Sequence, residues 1–421
     1  MHRFGRLKDA EKCTHCGYCL PVCPTYRAEN VEMQSPRGRV SAILALMDGR
    51  LSPEETGRAL SACLGCRACH RACPAGVQVG KLVLLSRSHA PMDQPWPIRL
   101  LHLITDRDPP SRILQQWVQW YQRSRWRRWC RKQGWLMKIE LLRRLDTLIP
   151  EYHPPVSAMA AIPAIQGEPI KAALLCGCMG RLFYPNVKDA TSALLCFLGV
   201  ELLTLDGFGC CGAPHRQAGN RRAFLRQAKK VLDRFRPMIF QTDVVLCDSA
   251  ICRVTALSYA RSLANDPDYA DLAREFCNKI VDITYFIRFR PSLAAAVSGR
   301  TSRQRIAFFD HCQTRHESEI ISGLRGLVAA LGVDWTELTP ADQCCGAGGD
   351  MMLSHSQMST KIRQHKLDAI KGSGAEVVVG TNPGCLMNIE AGLKADHAPV
   401  RVCHLVEILW ETVRSGSPKS D

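Results

Sequence analysis

The sequence predicts a mixed α+β and α/β chain, with a helical cysteine-rich module at the N-terminal end followed by two copies of one α/β cysteine-rich domain. Three observations predict it. Two cysteine runs of identical spacing stand within residues 13–73. Three cysteine landmarks recur at offsets of 134, 134 and 133 residues in the remainder. Short apolar runs alternate there with long helical stretches, which is the pattern of α/β units with largely parallel sheets.

The N-terminal runs read Cys13-x2-Cys16-x2-Cys19-x3-Cys23-Pro24 and Cys63-x2-Cys66-x2-Cys69-x3-Cys73-Pro74. Three thiolates two residues apart can wrap one face of an iron–sulfur cubane, leaving its fourth iron to a distant cysteine. In two-cluster ferredoxins the fourth cysteine of each run serves the other cluster. The expected ligand sets are therefore Cys13, Cys16, Cys19 and Cys73 for one [4Fe–4S] cluster, and Cys63, Cys66, Cys69 and Cys23 for the other. Proline after the last ligand stops each run, because it cannot continue a helix. Zinc also takes four thiolates, but its cysteines usually come in pairs rather than as a triplet with a fourth. Between the runs, Ser52-Pro53-Glu54-Glu55 carries an N-cap, a first-turn proline and a capping-box glutamate, predicting a helix through residues 56–62.

The repeat occupies residues 170–290 and 300–413. Ala173-Leu-Leu-Cys-Gly-Cys178 answers Ala307-Phe-Phe-Asp-His-Cys312, and Cys210-Cys211-Gly212 answers Cys344-Cys345-Gly346. The stretch ending Val244-Val245-Leu246 before Cys252 answers Val377-Val378-Val379 before Cys385. Each copy reads as a strand into its first cysteine, a helix stopped by glycine (Gly199 or Gly332), and a buried strand before the last cysteine. Neighbouring cysteines have Cα atoms about 3.8 Å apart, less than the roughly 4.4–6.8 Å of ordinary disulfides, so each vicinal pair suits metal or thiol chemistry better. Candidate ligands or redox thiols are Cys178, Cys210, Cys211 and Cys252, then Cys312, Cys344, Cys345 and Cys385.

Between these regions, residues 91–165 form a basic helical segment bounded by prolines. From Arg112 to Arg144 there are ten Lys or Arg and one acid, Glu140, which supplies nine of the sixteen net positive charges of the chain. Five of its eight tryptophans are also here: Trp117, Trp120, Trp126, Trp129 and Trp135. Cations beside tryptophans suit an anionic membrane surface, and equally helices packed on the protein or on a partner subunit. A nucleic-acid face would need a recognition motif, which is missing. No apolar run approaches a membrane span; residues 192–203 come nearest. The N-terminus has no apolar signal core and the 22 cysteines are regularly spaced, so a reducing, cytoplasmic setting is expected.

Gly207-x-Gly209-x-x-Gly212 fits the dinucleotide pattern but encloses Cys210-Cys211, so a turn around the pair is the better reading. Cys130, Cys196, Cys277 and Cys403 read as buried thiols. His215, His311 and His316 lie near the cysteine landmarks and read as structural. No flavin or nicotinamide fingerprint is present, so oxidation of an organic substrate requires a separate cofactor-bearing subunit.

These landmarks resemble the glycolate oxidase (glycolate dehydrogenase) iron–sulfur subunit family end to end. The resemblance rests on Cys-Thr-His-Cys-Gly-Tyr-Cys19, Cys-Pro-Thr-Tyr26, Ser-Pro-Arg-Gly-Arg39, both Cys-Cys-Gly triplets and Asn-Pro-Gly-Cys385. It implies a two-cluster ferredoxin domain over residues 1–90 and two CCG domains of the kind found in heterodisulfide reductase. It also implies FAD-bearing flavoprotein dehydrogenase partners that oxidise glycolate to glyoxylate, a quinone or other electron acceptor, and a further cluster in the repeats where the ligands are complete. The full CCG pattern carries Cys-x-x-Cys at the end of each repeat, whereas Ser249 and Asn382 stand here in place of its first cysteine. Electron transfer for D-lactate or glycerol-3-phosphate dehydrogenase, and disulfide reduction on the repeats themselves, are the neighbouring readings.

Overall fold

The computed structural model describes residues 2–90, 96, 98–99, 102–103, 112–133, 140–152, 170–204, 208–288, 304–312, 314–315, 325–329, 333–339 and 344–415. Trp135, Gly207, His316 and Gly332 lie outside the described residues. Among the described residues no helix is long and apolar enough to cross a membrane. The chain forms two compact units, one made of residues 1–104, 212–224 and 342–368, the other of 105–211, 225–341 and 369–421.

In the first unit a 3-10 helix, His2–Lys12, leads to Cys13. Helices α1 (Pro24–Glu29), α2 (Pro36–Met47), α3 (Pro53–Leu60), α4 (Ala68–Arg71) and α5 (Val79–Arg87) follow. Three of the five start on proline, which is pre-set for the first helical position. The expected capping box is present at α3: Ser52 Oγ accepts from Glu55 N while Glu55 accepts from Ser52 N. Leu7, Val40, Ile43, Leu60, Val77, Leu82 and Val83 make the core, and Cys13, Cys19, Cys63 and Cys73 pack on its edge. Burying each such aliphatic side chain contributes roughly 1.5–3 kcal/mol.

The second unit contains two four-stranded parallel sheets with the same strand order. The first holds β1 (Ile170–Leu175), β2 (Val200–Thr204), β3 (Val244–Cys247) and β4 (Ile280–Asp282) in the order β2-β1-β3-β4. The second holds β5 (Ile306–Phe308), β6 (Trp335–Glu337), β7 (Val377–Gly380) and β8 (Arg401–His404) in the order β6-β5-β7-β8. β1, β3, β5 and β7 are the runs the sequence marked, and β3, β5 and β7 are buried along their whole length. Strands hidden on both faces read as continuous apolar runs, which is why these four were legible. The edge strands β2 and β6 are half-polar and were not.

Helices α6 (Arg112–Arg123), α7 (Arg125–Lys132) and α8 (Glu140–Leu148) fall in the expected basic segment. One expectation is corrected in α10 (Pro185–Phe197), which follows α9 (Cys178–Phe183): Cys196 is exposed, not buried. Val187, Ala190, Thr191, Leu194 and Leu195 form its inner face, and the next residue turns about 100° away from Leu195. Cys130 and Cys403 are buried as expected, and Cys277 is half-buried.

A buried polar group joins α10 to α11 (Leu405–Ser415) and gives the stability of this unit a pH signature. Asn186 donates to Glu407, whose other oxygen accepts from His404 N at 2.7 Å. Burial raises the Glu407 carboxyl from 4.5 to about 7 and lowers the His404 ring from 6.5 to about 4. For Glu407 the folded value lies above the unfolded one, so its contribution is complete below pH 4.5 and is lost as pH rises through about 7. For His404 the folded value is depressed, so its contribution is complete above pH 6.5 and is lost as pH falls through about 4. The two oppose each other and flatten the profile. Glu407→Gln should therefore gain stability relative to the parent between roughly pH 5 and pH 8, by up to ~3 kcal/mol. Anaerobic denaturant unfolding at those two pH values checks this; an equal difference at both would show that Glu407 titrates as an ordinary carboxylate.

Candidate metal centres

The eight N-terminal cysteines line two adjoining cavities in the first unit. Cys13, Cys16, Cys19 and Cys73 line one, which opens to solvent. Cys23, Cys63, Cys66 and Cys69 line the other, which opens to solvent as well. Cys69 and Val79 border both. Among the described residues no carboxylate lines either cavity, and Arg37 stands at the first while Arg39 and Arg67 stand at the second. Thiolates as the donors, with cations behind them, fit iron–sulfur clusters, which soft sulfur ligands hold and which carry net negative charge. Burial raises the Cys69 thiol, a cost that a bound cluster would offset by holding the thiolate form.

The two cysteine runs share a backbone conformation. Left-handed residues stand at the same two positions of each: His15 (φ 56°) and Gly17 (φ 87°) in the first, Gly65 (φ 62°) and Arg67 (φ 63°) in the second. Such angles are uncommon outside glycine. Their recurrence at matching places curls both loops around their cavities. The spacing of the cysteines gave no hint of it, since two of the four residues are not glycine.

The Ser-Pro-Arg-Gly-Arg39 stretch supports these loops residue by residue. Ser35 caps α2 by accepting from Gly38 N at 2.9 Å, and Pro36 occupies the first turn. Arg37 pairs with Glu32 at 2.7 Å and donates to His15 O at 3.2 Å. A Cβ on Gly38 would lie 2.1 Å from Glu32 O, so no other residue fits. Arg39 is 2% exposed and donates to Cys23 Sγ at 3.8 Å, Thr25 Oγ1 at 2.9 Å and Gln34 Oε1 at 3.0 Å. Val77 N donates to Cys73 Sγ at 3.3 Å. Donors aimed at a ligand sulfur stabilise its negative charge and tune the metal it holds.

Pieces of both repeats belong to the same unit. Arg87, 2% exposed, donates to the carbonyls of Leu60 (2.8 Å), Ser61 (2.9 Å), Cys63 (2.9 Å) and Gln217 (2.8 Å). Cys344 and Cys66 both pack on a cluster of Ala62, Leu64, Met351, Met358 and Ile362. Gly348 has φ +45°, and a Cβ there would stand 2.0 Å from Leu64 Cδ2, so glycine is needed for both angle and contact. The glycines of the Cys-Cys-Gly triplets are likewise left-handed, at φ 81° for Gly212 and 72° for Gly346.

In the first repeat Cys176, Cys178, Cys210, Cys211, Cys247 and Cys252 are all buried. Cys178 lies within hydrogen-bond reach of Cys210, a contact that holds its thiol low, and Cys252 lies within reach of Cys211, which pushes the Cys252 thiol up along with burial. Tyr259 OH donates to Cys211 O at 2.7 Å. A Cβ added to Gly177 would lie 3.0 Å from Cys252 Sγ and 3.8 Å from Ser249 Oγ, so the serine hydroxyl stands in the same pocket as the thiols. In the second repeat Cys312 and Cys385 belong to one unit and Cys344 and Cys345 to the other. Asn382 Nδ2 donates to Cys385 Sγ at 3.4 Å, making it a partner of the thiol. His311 is structural: its ring accepts from Thr381 N at 2.5 Å and packs edge-on against Phe309. His215 is buried beside His102, with ring centres 4.6 Å apart.

With this geometry the chain is similar to known proteins along nearly its whole length. Residues 9–77 match the 4Fe-4S dicluster domain, and residues 172–255 and 306–390 match the CCG cysteine-rich domain. The probable glycolate oxidase iron–sulfur subunit of Bacillus subtilis (strain 168) is 29% identical over 96% of this chain and 95% of its own length. The glycolate oxidase iron–sulfur subunit of Escherichia coli (strain K12) is 27% identical over 98% of this chain and 97% of its own. Lactate utilization protein A of Bacillus subtilis is 30% identical over 57% of this chain and 99% of its own length. A crystal structure of a hypothetical protein from Helicobacter pylori shares the fold, with a TM-score of 0.54 at 11% identity, covering 95% of this chain and 72% of that one. A dicluster domain takes two [4Fe–4S] clusters, and two thiol-lined cavities are there to receive them. The chain thus belongs to the family of glycolate oxidase iron–sulfur subunits, in which a 4Fe-4S dicluster domain precedes two CCG cysteine-rich domains.

Proposed function

We propose that this chain is the electron-transfer subunit of a 2-hydroxy-acid dehydrogenase complex. It takes electrons from FAD-bearing flavoprotein subunits that oxidise glycolate to glyoxylate, and delivers them to a quinone or other acceptor at the cytoplasmic face of the membrane. Cys13, Cys16, Cys19 and Cys73 hold one cluster, and Cys63, Cys66, Cys69 and Cys23 the other, within a domain of residues 1–90. The observation that carries this reading is the pair of cysteine-lined cavities sharing Cys69 and Val79 as a common wall. When bound, each [4Fe–4S] cluster accepts and releases one electron at a time. The residues around it would bias that exchange: Arg37, Arg39 and Arg67 offset negative charge.

The relatives that align along nearly the whole chain carry glycolate in their names, whereas those named for lactate align with little more than half of it. This favours glycolate, with D-lactate as the second substrate to test. Anaerobically purified protein should contain about eight iron and eight acid-labile sulfide per chain when only the N-terminal clusters form. A value well above that assigns a further cluster to the repeats, and zinc in place of iron overturns the reading. Co-purification with a flavoprotein, followed by a screen of small 2-hydroxy acids on the complex, identifies the partner and its substrate.

A further inference from the structure

The helices α6 and α7 are turned inside out for a protein surface. Ile113, Trp117 and Trp120 on α6 follow an i, i+4, i+7 stripe and are 65%, 62% and 53% exposed. Trp126 and Trp129 on α7 are 52% and 46% exposed. The inner face is polar and locked. Arg127 is 3% exposed and bonds Asp146 Oδ1 at 2.8 Å, Asp146 O at 2.8 Å, Ile149 O at 2.6 Å and Pro150 O at 3.1 Å. Arg131 adds a second contact to Asp146 at 2.6 Å. Burial pushes Asp146 up, but the bonds from Arg131 and Arg127 reverse this and hold its carboxyl below its usual value. Gln122 donates to Phe183 O at 3.1 Å and Pro150 O at 3.4 Å. Rolling either helix to bury its tryptophans would strand these groups, so the indoles are held outward.

Around them stand the exposed cations Arg123, Arg125, Arg128 and Lys132. We propose that this face seats the chain on an anionic phospholipid surface, with the indoles at headgroup depth and the cations on lipid phosphates. Charge complementarity selects this occupant: no acid lies between residues 112 and 133, so the exposed cations on this stretch have no carboxylate of their own to pair with and match an anionic surface. Tryptophan prefers the membrane–water boundary, and each nearby cation strengthens attraction to acidic lipids. The proposal deepens the proposed function by naming the surface that brings the chain to a membrane. Vesicle binding is read without substrate or acceptor, so its failure is distinct from failure of the electron relay.

The test uses the full, cluster-loaded chain under anaerobic conditions, with vesicles of phosphatidylcholine alone or mixed with phosphatidylglycerol. Binding is expected only to the mixed vesicles, weakening as salt is raised, with a blue shift of tryptophan emission. The triple variant R125Q/R128Q/K132Q should bind roughly 100-fold more weakly. W117S/W120S should lose most of both binding and blue shift. Both variants should keep the iron content and visible absorption of the parent, which reports that they fold. Absence of binding to the acidic vesicles, or binding that neither variant changes, overturns the proposal. So does a W117S/W120S variant that binds vesicles normally yet no longer co-purifies with a flavoprotein, since the face would then be a subunit interface.

Discussion

Replacing Cys66 with serine should stop substrate-driven electron transfer through the complex while leaving the flavoprotein's own chemistry intact. Serine keeps the size and hydrogen-bonding capacity of the side chain but offers a hard oxygen where iron in a cluster takes soft sulfur. Cys66 borders the cavity it shares with Cys23, Cys63 and Cys69, and it also packs on the apolar cluster that includes Leu64 and Met351. Its backbone is set by the left-handed residues Gly65 and Arg67 on either side, so the change perturbs the ligand and little else. The expected loss in substrate-dependent reduction of an external quinone is more than roughly 100-fold, beyond what loss of a supporting contact causes. A small dye that takes electrons directly from the flavin should still be reduced. Cys16→Ser tests the other cavity in the same way. If either variant passed electrons to the quinone at the parent rate, the relay would not run through that cavity.

The sequence exposed what depends on local spacing and hid what depends on distant packing. Cysteine positions in the two runs lie within a few residues of each other, and so do the strands that lead into Cys178 and Cys312. The repeat was visible for the same reason, and its two sheets do share one strand order. By contrast, residues 212–224 and 342–368 group with the N-terminal module, although the first follows and the second contains the vicinal pair of its own repeat. The contacts responsible include Gln217 O on Arg87, Gly348 against Leu64, and the packing of Met351, Met358 and Ile362 on Ala62 and Leu64. Pairs so far apart in sequence leave no periodicity to read. The tryptophan segment was recognisable as helical and basic, but which face it buries depends on Arg127 finding Asp146. An arginine at an inner position reverses the usual sense of an amphipathic helix.

Arg87 exemplifies that hidden class, and its removal should be the most damaging single change outside the cysteines. It sits in the last turn of α5, buried, where a cation is also favoured by the helix terminus. Its guanidinium satisfies four carbonyls, from Leu60, Ser61, Cys63 and Gln217. The first three form the turn that carries Cys63 into its cavity. Gln217 Nε2 returns a bond to Cys63 O at 3.3 Å. Arg87→Met keeps the bulk but takes the donor from Ser61 O and Gln217 O and a second bond from Leu60 O and Cys63 O, and each buried group left unmatched costs about 1–3 kcal/mol. Even with water entering to relieve some of them, a loss of ~4 kcal/mol is expected, a large part of the roughly 5–15 kcal/mol that holds a domain folded. The damage should centre on the second cavity: iron should fall from about eight towards about four per chain as the Cys63 turn loosens. Arg87→Lys, which can reach one or two of the carbonyls, should recover part of both stability and iron. Anaerobic unfolding and iron analysis of the two variants decide the matter, and an Arg87→Met protein with full iron and unchanged stability would show that water replaces the guanidinium at no cost.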